Sequence, residues 1–412
     1  MTSDFWTDRR FGGVLRAGDS RRYGVDIKSD RKTLIDAAIK LGVSGIASFA
    51  PIYRTSIKGR DCHSIKDYSQ TLVLPLVAKH LHYKLRKERP TRDRIVVNAI
   101  ESLTDALPMY VVRRDIKSFY ETVPTDPLMD RLLSTTYLPG TVRRHIVSFF
   151  KTFSGSTGIP RGTPLSPVLA EFALNDFDKQ VRRLPGVYRY FRYADDILIF
   201  SYIEPEALAK TIELLLPNGM KFNAEKSSEI ALCAKKGSAS TKSFEYLGYE
   251  YRMSDLGGGP HLRTVNLAIS KKKIQKIKTR IVLTLKSFAS NADFQLCRDR
   301  MKFISGNYSV QRKGANSIKS SKEVKSGIYY NYKLCGEYKE GRKGEYDCAE
   351  LKHIDGFFQS LIKIHTPFGS KLTAAQRQEL SKISFAKGFT HKFHHDFDAM
   401  RIVSIKSVWR NA

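Results

Sequence analysis

The chain has 412 residues, with 70 Lys and Arg against 41 Asp and Glu and a net charge of +29. At 42% hydrophobic and 27% charged residues it reads as a globular protein with more chain than one core usually holds, which excludes a low-complexity or collagen-like chain. The charge excess calls for an anionic partner, nucleic acid first, and no apolar run nears the ~20 residues of a membrane span. In chain order, residues 30–108 mix short helical patterns with polar stretches and end in a basic segment, Lys84-Leu-Arg-Lys-Glu-Arg-Pro-Thr-Arg-Asp-Arg94. Pro108-Met-Tyr-Val-Val-Arg-Arg-Asp115 is an apolar strand running into a carboxylate. Leu128, Leu132, Leu133, Val142, Ile146 and Phe149 recur at helical spacing and predict helix over 126–150. Ser154 to Pro167, rich in Gly, Ser and Pro, is a loop that leads into a helix from Val168. Val187–Tyr193 and Ile197–Phe200 are β-type runs around Ala194-Asp195-Asp196, a tight hairpin with two acids at its tip. Residues 204–216 are helical, Phe244–Tyr251 is strand-like, and Gly257-Gly-Gly-Pro260 breaks the chain. Residues 263–280 carry seven basic residues and no acid, with Ile269, Ile274 and Ile277 among them, and predict a basic amphipathic helix. Residues 290–308 predict another helix, and 311–325 a polar, basic loop. The tail mixes aromatic and charged residues and ends in His391-Lys-Phe-His-His-Asp396.

Five scattered cysteines without a C-x-x-C pair argue against a disulfide framework or a zinc knuckle. With an amino terminus that lacks a signal-peptide pattern, the expectation is a cytoplasmic protein.

The order β, α, β, β around two acidic sites suggests an α+β fold, a split βαβ-type antiparallel sheet with helices on one face. Phosphoryl transfer needs in-line positioning and positive charge on the attacking and leaving oxygens. Two magnesium ions about 3.5–4 Å apart supply both and take hard oxygen ligands. Asp115 at a strand end and Asp195-Asp196 at an adjacent hairpin tip could hold them. Alone, a Tyr-Ala-Asp-Asp turn is more often an ordinary hairpin, because Asp is a turn former.

The combination resembles the reverse transcriptases. Tyr193-Ala-Asp-Asp196 resembles their Tyr-x-Asp-Asp box, Asp115-Ile-Lys-Ser-Phe-Tyr120 their first catalytic box, and Gly158-Ile-Pro-Arg-Gly-Thr-Pro-Leu-Ser-Pro167 the box between them. Gly219-Met-Lys-Phe-Asn-Ala-Glu-Lys226 and Phe244-Glu-Tyr-Leu-Gly248 resemble the two that follow, and Arg92-Asp-Arg-Ile-Val-Val-Asn-Ala-Ile100 the fingers segment of the bacterial enzymes. The resemblance implies an RNA-directed DNA polymerase, a nucleotidyltransferase with a right-hand fold. It places the N-terminal segment and fingers at 1–108, the palm at 109–255, a helical basic thumb at 256–330 and a short C-terminal extension at 331–412. Asp115 and Asp195 would ligate both metals, Asp196 would support them or the primer end, and the Ile116 carbonyl would touch the nucleotide metal. Tyr120 holds the place of the aromatic gate that excludes a 2′-hydroxyl, with Phe119 packed inward. Gly162 would let backbone approach the incoming dNTP, and Lys226 would protonate the leaving pyrophosphate. A solvated surface lysine is the plain alternative for Lys226. Phe244, Leu247 and Gly248 would form the primer grip. Lys87, Arg89, Arg92 and Arg94 are candidates for the triphosphate clamp. Lys271, Lys272, Lys273 and Lys276 would lie along nucleic acid. Arg161 departs from the Gln common in the middle box and could contact a template or nucleotide phosphate.

Arg300–Tyr308 and Ser326–Tyr332 resemble the C-terminal region of bacterial defence-associated reverse transcriptases of the abortive-infection and unknown-group branch, most like type 2. That implies a noncoding RNA as template or scaffold, a DNA product and a role in antiphage defence. Alternatives are untemplated or protein-primed DNA synthesis, a retron-like enzyme, and a noncatalytic RNA-binding scaffold. Against the scaffold stand three clustered acids in a strongly basic chain. The histidines of the tail read as surface or RNA-facing rather than metal-binding, and Tyr329, Tyr330 and Tyr332 as core or base-stacking groups. The residues leave the oligomeric state open.

Overall fold

The computed structural model describes residues 5–16, 19–57, 59–85, 90–105, 107–135, 137–154, 158–232, 241–254, 263–311 and 323–409. They form two compact units, the first drawn from residues 1–90 and 109–229, the second from 91–108, 230–311 and 322–412.

The first unit begins with helices and a hairpin that the sequence pattern did not reveal, β1 (Ile52–Ile57) and β2 (Arg60–Ile65), paired antiparallel around a turn at Gly59 with φ 70°. Its strands are largely exposed, so no apolar alternation marks them. The helix Tyr68–Lys84 follows, capped by Asp67, whose side chain accepts from the Gln70 amide at 2.9 Å. It buries Leu72, Val73, Leu76, Val77 and Leu81, each worth about 1.5–3 kcal/mol against exposure. The sheet of this unit has the order β4 (Val187–Tyr193), β5 (Asp196–Ser201), β3 (Met109–Asp115), with β6 (Ser228–Leu232), of which Ser228 and Glu229 belong to this unit, after β3. β5 lies between β4 and β3, antiparallel to both, and its Ile197-Leu-Ile-Phe200 run is wholly buried, as a central strand requires. The helix predicted over 126–150 is two helices, Thr125–Thr135 and Gly140–Thr152. Pro139, which cannot donate to a continuing helix, stands at the N-cap of the second.

The second unit carries a five-stranded sheet. Its order is β13 (Arg342–Lys343), β12 (Gly336–Lys339), β9 (Thr264–Ile269), β8 (Tyr249–Ser254), β7 (Thr241–Tyr246). Phe244–Tyr251, expected as one strand, is a hairpin of β7 and β8. Leu247 and Gly248 form its turn with φ 48° and 83°, the paired positive values that match the twist of the flanking strands. The basic helix predicted from 263 starts at Lys271 and runs to Asn291. Residues 264–269 are β9 instead, because Val265, Leu267 and Ile269 alternate toward the core, and Ser270, with extended backbone, stands at the N-cap position of the helix that follows. The next helix is Phe294–Ser305 rather than 290–308, and Asn307–Gln311 leaves as β10 to pair with β11 (Glu323–Gly327). Most of the predicted loop 311–325 lies outside the described residues.

The helix Arg92–Thr104, grouped by sequence with the N-terminal segment, packs in the second unit. Arg263, only 3% exposed, donates to the carbonyls of Leu103 at 3.2 Å and Asp105 at 2.8 Å. Cys62, Cys297, Cys335 and Cys348 are free. No helix among the described residues is long and apolar enough to cross a membrane.

Candidate active site

The register of the first unit's sheet places the acids. Asp115 ends β3 directly opposite Asp196, which opens β5, and the Ile116 amide donates to the Asp195 carbonyl at 3.0 Å. Ala194 takes the sharp corner of the hairpin with φ 57°. The segment after Gly219 runs beside the same end of β3. The Lys117 amide donates to the Lys221 carbonyl at 2.9 Å and the Asn223 amide to the Asp115 carbonyl at 2.7 Å. A short 3-10 turn, Ala224–Lys226, then delivers the Lys226 ammonium to Asp115 at 2.9 Å, on a side chain 42% exposed.

Burial raises the carboxyl of Asp195 above its ordinary value, and the charge of Asp115 adds to the effect. Burial also raises Asp196, although Arg113 pulls it down through a two-point ion pair at 3.0 and 3.3 Å. Arg113 sits two residues before Asp115 on β3 and so on the same face. Carboxylates are the hard-oxygen donors that divalent cations take. Lys226 and Arg113 now balance Asp115 and Asp196. Among the described residues no group of three His, Cys, Asp or Glu is gathered tightly enough to form a preformed metal site.

Behind the hairpin lies a buried network that no sequence motif announces. Arg192, 4% exposed, donates to Asp178 at 2.7 Å, to Glu171 at 2.9 Å and to the Ala194 carbonyl at 2.9 Å. Tyr190 adds a hydrogen bond to Asp178 at 2.8 Å. The partners come from the helices Ser166–Ala173 and Asn175–Arg183, well before Arg192 in sequence. Only the alternation of Tyr190 and Arg192 toward one face of β4 could have hinted at them.

Residues 57–251 match the family model described as reverse transcriptase (RNA-dependent DNA polymerase). Over these residues the chain is similar to a reverse transcriptase domain. That domain is a nucleotidyltransferase domain, and its mixed helix-and-sheet architecture is the right-hand polymerase fold. Among solved structures, apo telomerase from Candida Tropicalis truncated from its C-terminal domain is 15% identical with a TM-score of 0.39, over 59% of this chain and 60% of that one. Apo telomerase from Candida Tropicalis is 13% identical with a TM-score of 0.34, over 82% and 52%. Telomerase from Candida albicans in complex with the TWJ fragment of telomeric RNA is 13% identical with a TM-score of 0.32, over 82% and 53%. The chain thus spans between half and two thirds of the length of these telomerase chains. No curated protein matches it.

Within the reverse transcriptase domain, Phe119 is buried at 2% exposure and Tyr120 is half-buried beside it. Arg161 forms a two-point ion pair with Glu121, one bond at 2.9 Å, and its guanidinium lies 4.9 Å over the Tyr120 ring. That pairing holds Glu121 below the usual carboxylate range. Gly162 has φ 92°, and a Cβ there would come within 2.6 Å of the His63 carbonyl of β2. The glycine therefore admits the chain's own backbone, whatever else approaches it. A cavity of about 520 Å³ opens here, lined by Arg54, Arg60, His63, Ser118, Glu121 and Arg161. Arg54 and Arg60 of the β1–β2 hairpin are cations that no motif singles out. The turn signal of Lys58-Gly59 between Tyr53–Ile57 and Arg60–Ile65 is the available clue.

The remaining candidates fall elsewhere. Lys87 and Arg89 lie outside the described residues. Arg92 belongs to the second unit, where it donates to the carbonyls of Leu247 and Asn331, each at 2.8 Å, and lies 4.6 Å over the Tyr249 ring. It holds the Leu247-Gly248 turn, and a Cβ at Gly248 would meet its guanidinium at 3.3 Å. Arg94 is exposed on the same helix. The Phe244 ring, 6% exposed, stacks on Tyr251 at 4.7 Å, so it packs inward, and the turn residues Leu247 and Gly248 are half-buried. Of the tail residues, His394 pairs with Asp396 at 3.3 Å, and the bridge between His394 and Asn307 ties this segment to β10. Tyr332 is buried, and Tyr329 packs on Phe389.

Lys271, Lys272 and Lys273 are exposed and Lys276 is half-buried on the first turns of the helix Lys271–Asn291. Replacing all four by Gln is expected to weaken RNA binding. It should also flatten the log–log salt dependence by about 0.7–0.9 for each phosphate no longer neutralised. Filter binding across a salt series checks this, and an unchanged slope would show a merely solvated face.

Proposed function

We propose that this protein is an RNA-directed DNA polymerase that copies a noncoding RNA into DNA and acts in antiphage defence. The observation that supports the polymerase reading best is the convergence of Asp115, Asp195 and Asp196 at one sheet end, with Lys226 on Asp115, inside the residues matched as a reverse transcriptase. Two magnesium ions bound by these carboxylates would supply the positive charge that phosphoryl transfer needs.

The chain's own groups do the rest. Asp115 and Asp195 hold the ligand geometry, and Arg113 keeps Asp196 oriented. Lys226 carries an ammonium proton at the site and hands it to the departing pyrophosphate. Tyr120 would stand against the sugar, and Arg54 and Arg60, which line the neighbouring cavity, would meet the triphosphate. The palm spans 109–255 in this reading, with fingers before it and the thumb at 256–330. The Leu247-Gly248 turn, with Phe244 behind it, presents the primer end.

The defence role and the noncoding RNA partner are supported by the C-terminal resemblance of Arg300–Tyr308 and Ser326–Tyr332. Sequencing nucleic acid that copurifies with the protein tests the polymerase reading. A defined complementary DNA is expected. Homopolymer or random DNA would point to untemplated synthesis, and RNA alone to a scaffold. Plaque counts test the defence role. Hosts expressing the protein with its neighbouring RNA locus are expected to resist some phages, and Asp115→Ala to remove the resistance. Equal protection by the variant would show that synthesis is not the defensive act.

A further inference from the structure

Arg161 could serve a phosphate, or it could serve the protein. Its carbonyl accepts from the His63 amide at 2.6 Å, so the backbone at this point is fastened to β2. The other end of the loop is fastened too. The Ile159 amide donates to the Tyr120 carbonyl at 2.8 Å, and a Cβ on Gly158 would collide with that oxygen. Gly158 and Gly162 both have positive φ, 66° and 92°, so the loop is held against Tyr120 in a path that other residues would strain. Between these two anchors the Arg161 side chain is 17% exposed, with both oxygens of Glu121 on its fork and the Tyr120 ring under its face. A guanidinium held at two points by a carboxylate is charge-balanced and fixed in orientation, with two of its five N–H donors engaged. A planar cation over an aromatic face limits how that ring can tilt, and the attraction strengthens as water is excluded. Arg54 and Arg60 supply other cations to the same cavity.

We infer that Glu121 and Arg161 form a latch that fixes the Tyr120 ring and so sets the selectivity between deoxyribose and ribose. Both are positioning residues, acting through Tyr120. The inference rests on the reading of Tyr120 as the sugar gate. Glu121 aims and neutralises Arg161, and Arg161 presses on the ring. Breaking the pair takes the guanidinium off the ring face and loosens the ring on the side toward C2′.

Single-nucleotide incorporation by the full chain, with kcat and KM measured for a dNTP and its rNTP counterpart, tests this. Glu121→Gln and Arg161→Met are each expected to raise the rNTP/dNTP ratio of kcat/KM about five- to tenfold, the scale of a partly buried cation–π interaction. The change should be carried by the ribonucleotide arm. Tyr120→Ala is expected to raise the ratio further, and adding Glu121→Gln to it should change nothing more, because the latch then has no ring to hold. Glu121→Asp, which keeps the carboxylate, should retain most of the wild-type selectivity. If Tyr120→Ala shifts the ratio and neither latch variant does, the latch is refuted and the gate stands. If Tyr120→Ala leaves the ratio unchanged, the gate reading falls and the latch with it. An equal rise in KM for both sugars in Arg161→Met would make Arg161 a phosphate ligand and overturn the inference.

Discussion

Replacing Asp195 and Asp196 together by Ala is expected to lower Mg²⁺-dependent dNTP incorporation by on the order of 10³-fold or more, the scale seen when charge stabilisation of a transition state is removed. The protein should stay folded, and the direction of the pKa shifts says why. Both carboxyls are raised above the ordinary aspartate value, chiefly by burial. An acid whose folded pKa is raised favours the folded state at low pH, and that contribution is lost as pH rises through the folded pKa. At neutral pH the ionised pair therefore costs stability in metal-free protein. Asp195→Asn isolates the effect, since its removal leaves the ion pair between Arg113 and Asp196 in place. In metal-free buffer that variant should melt at or above the wild-type temperature near pH 7. The gap should close as pH falls through the raised pKa toward the ordinary carboxylate value. Synthesis retained by the double Ala variant would end the assignment of these acids. A large drop in melting temperature in Asp195→Asn would show that the carboxylate supports the fold instead.

The second large effect is expected at Arg192. Its guanidinium meets Asp178, 5% exposed, and Glu171, 16% exposed. Removing the shared cation of a buried ion network costs about 3–5 kcal/mol. Arg192→Met should therefore destabilise the protein by that amount in urea unfolding. It should also weaken synthesis, because the bond to the Ala194 carbonyl at the hairpin corner goes with it. Arg192→Lys should recover little, since one ammonium cannot reproduce a planar fork that serves two carboxylates and a carbonyl. Replacing Arg192, Asp178 and Glu171 together by apolar residues of similar volume should recover much of the stability. If Arg192→Met unfolds like the wild type, the network is incidental to the fold.

Some of this architecture was legible in the residues alone. Asp115 at the end of an apolar run and Asp195-Asp196 between two β-type runs announced acids at strand ends, because strand periodicity and turn chemistry are local properties. The basic character of residues 271–280 was likewise plain from the chain. Local pattern also had limits. It could not tell β9 from the start of a helix, because three apolar residues at alternate positions and a lysine-rich run beyond them read as one stretch, although the backbone is still extended at Ser270. It merged β7 and β8 because their turn is only Leu247-Gly248.

Pairings over long sequence separations were decided by tertiary structure alone. Burial selects which of many charged residues must find partners, and the partner is set by where the chain returns. Arg192 meets Glu171 and Asp178 because two helices pack behind β4. Arg161 meets Glu121 because the loop is fastened to Tyr120 and β2. Arg92, a triphosphate candidate by its charge and position, is instead drawn to the carbonyls of Leu247 and Asn331. Charge and period thus wrote the kind of site into the sequence, since both act between neighbours along the chain. Which partner each arginine takes was decided only by packing, since a guanidinium is a strong donor that takes the nearest carbonyl or carboxylate the folded chain presents.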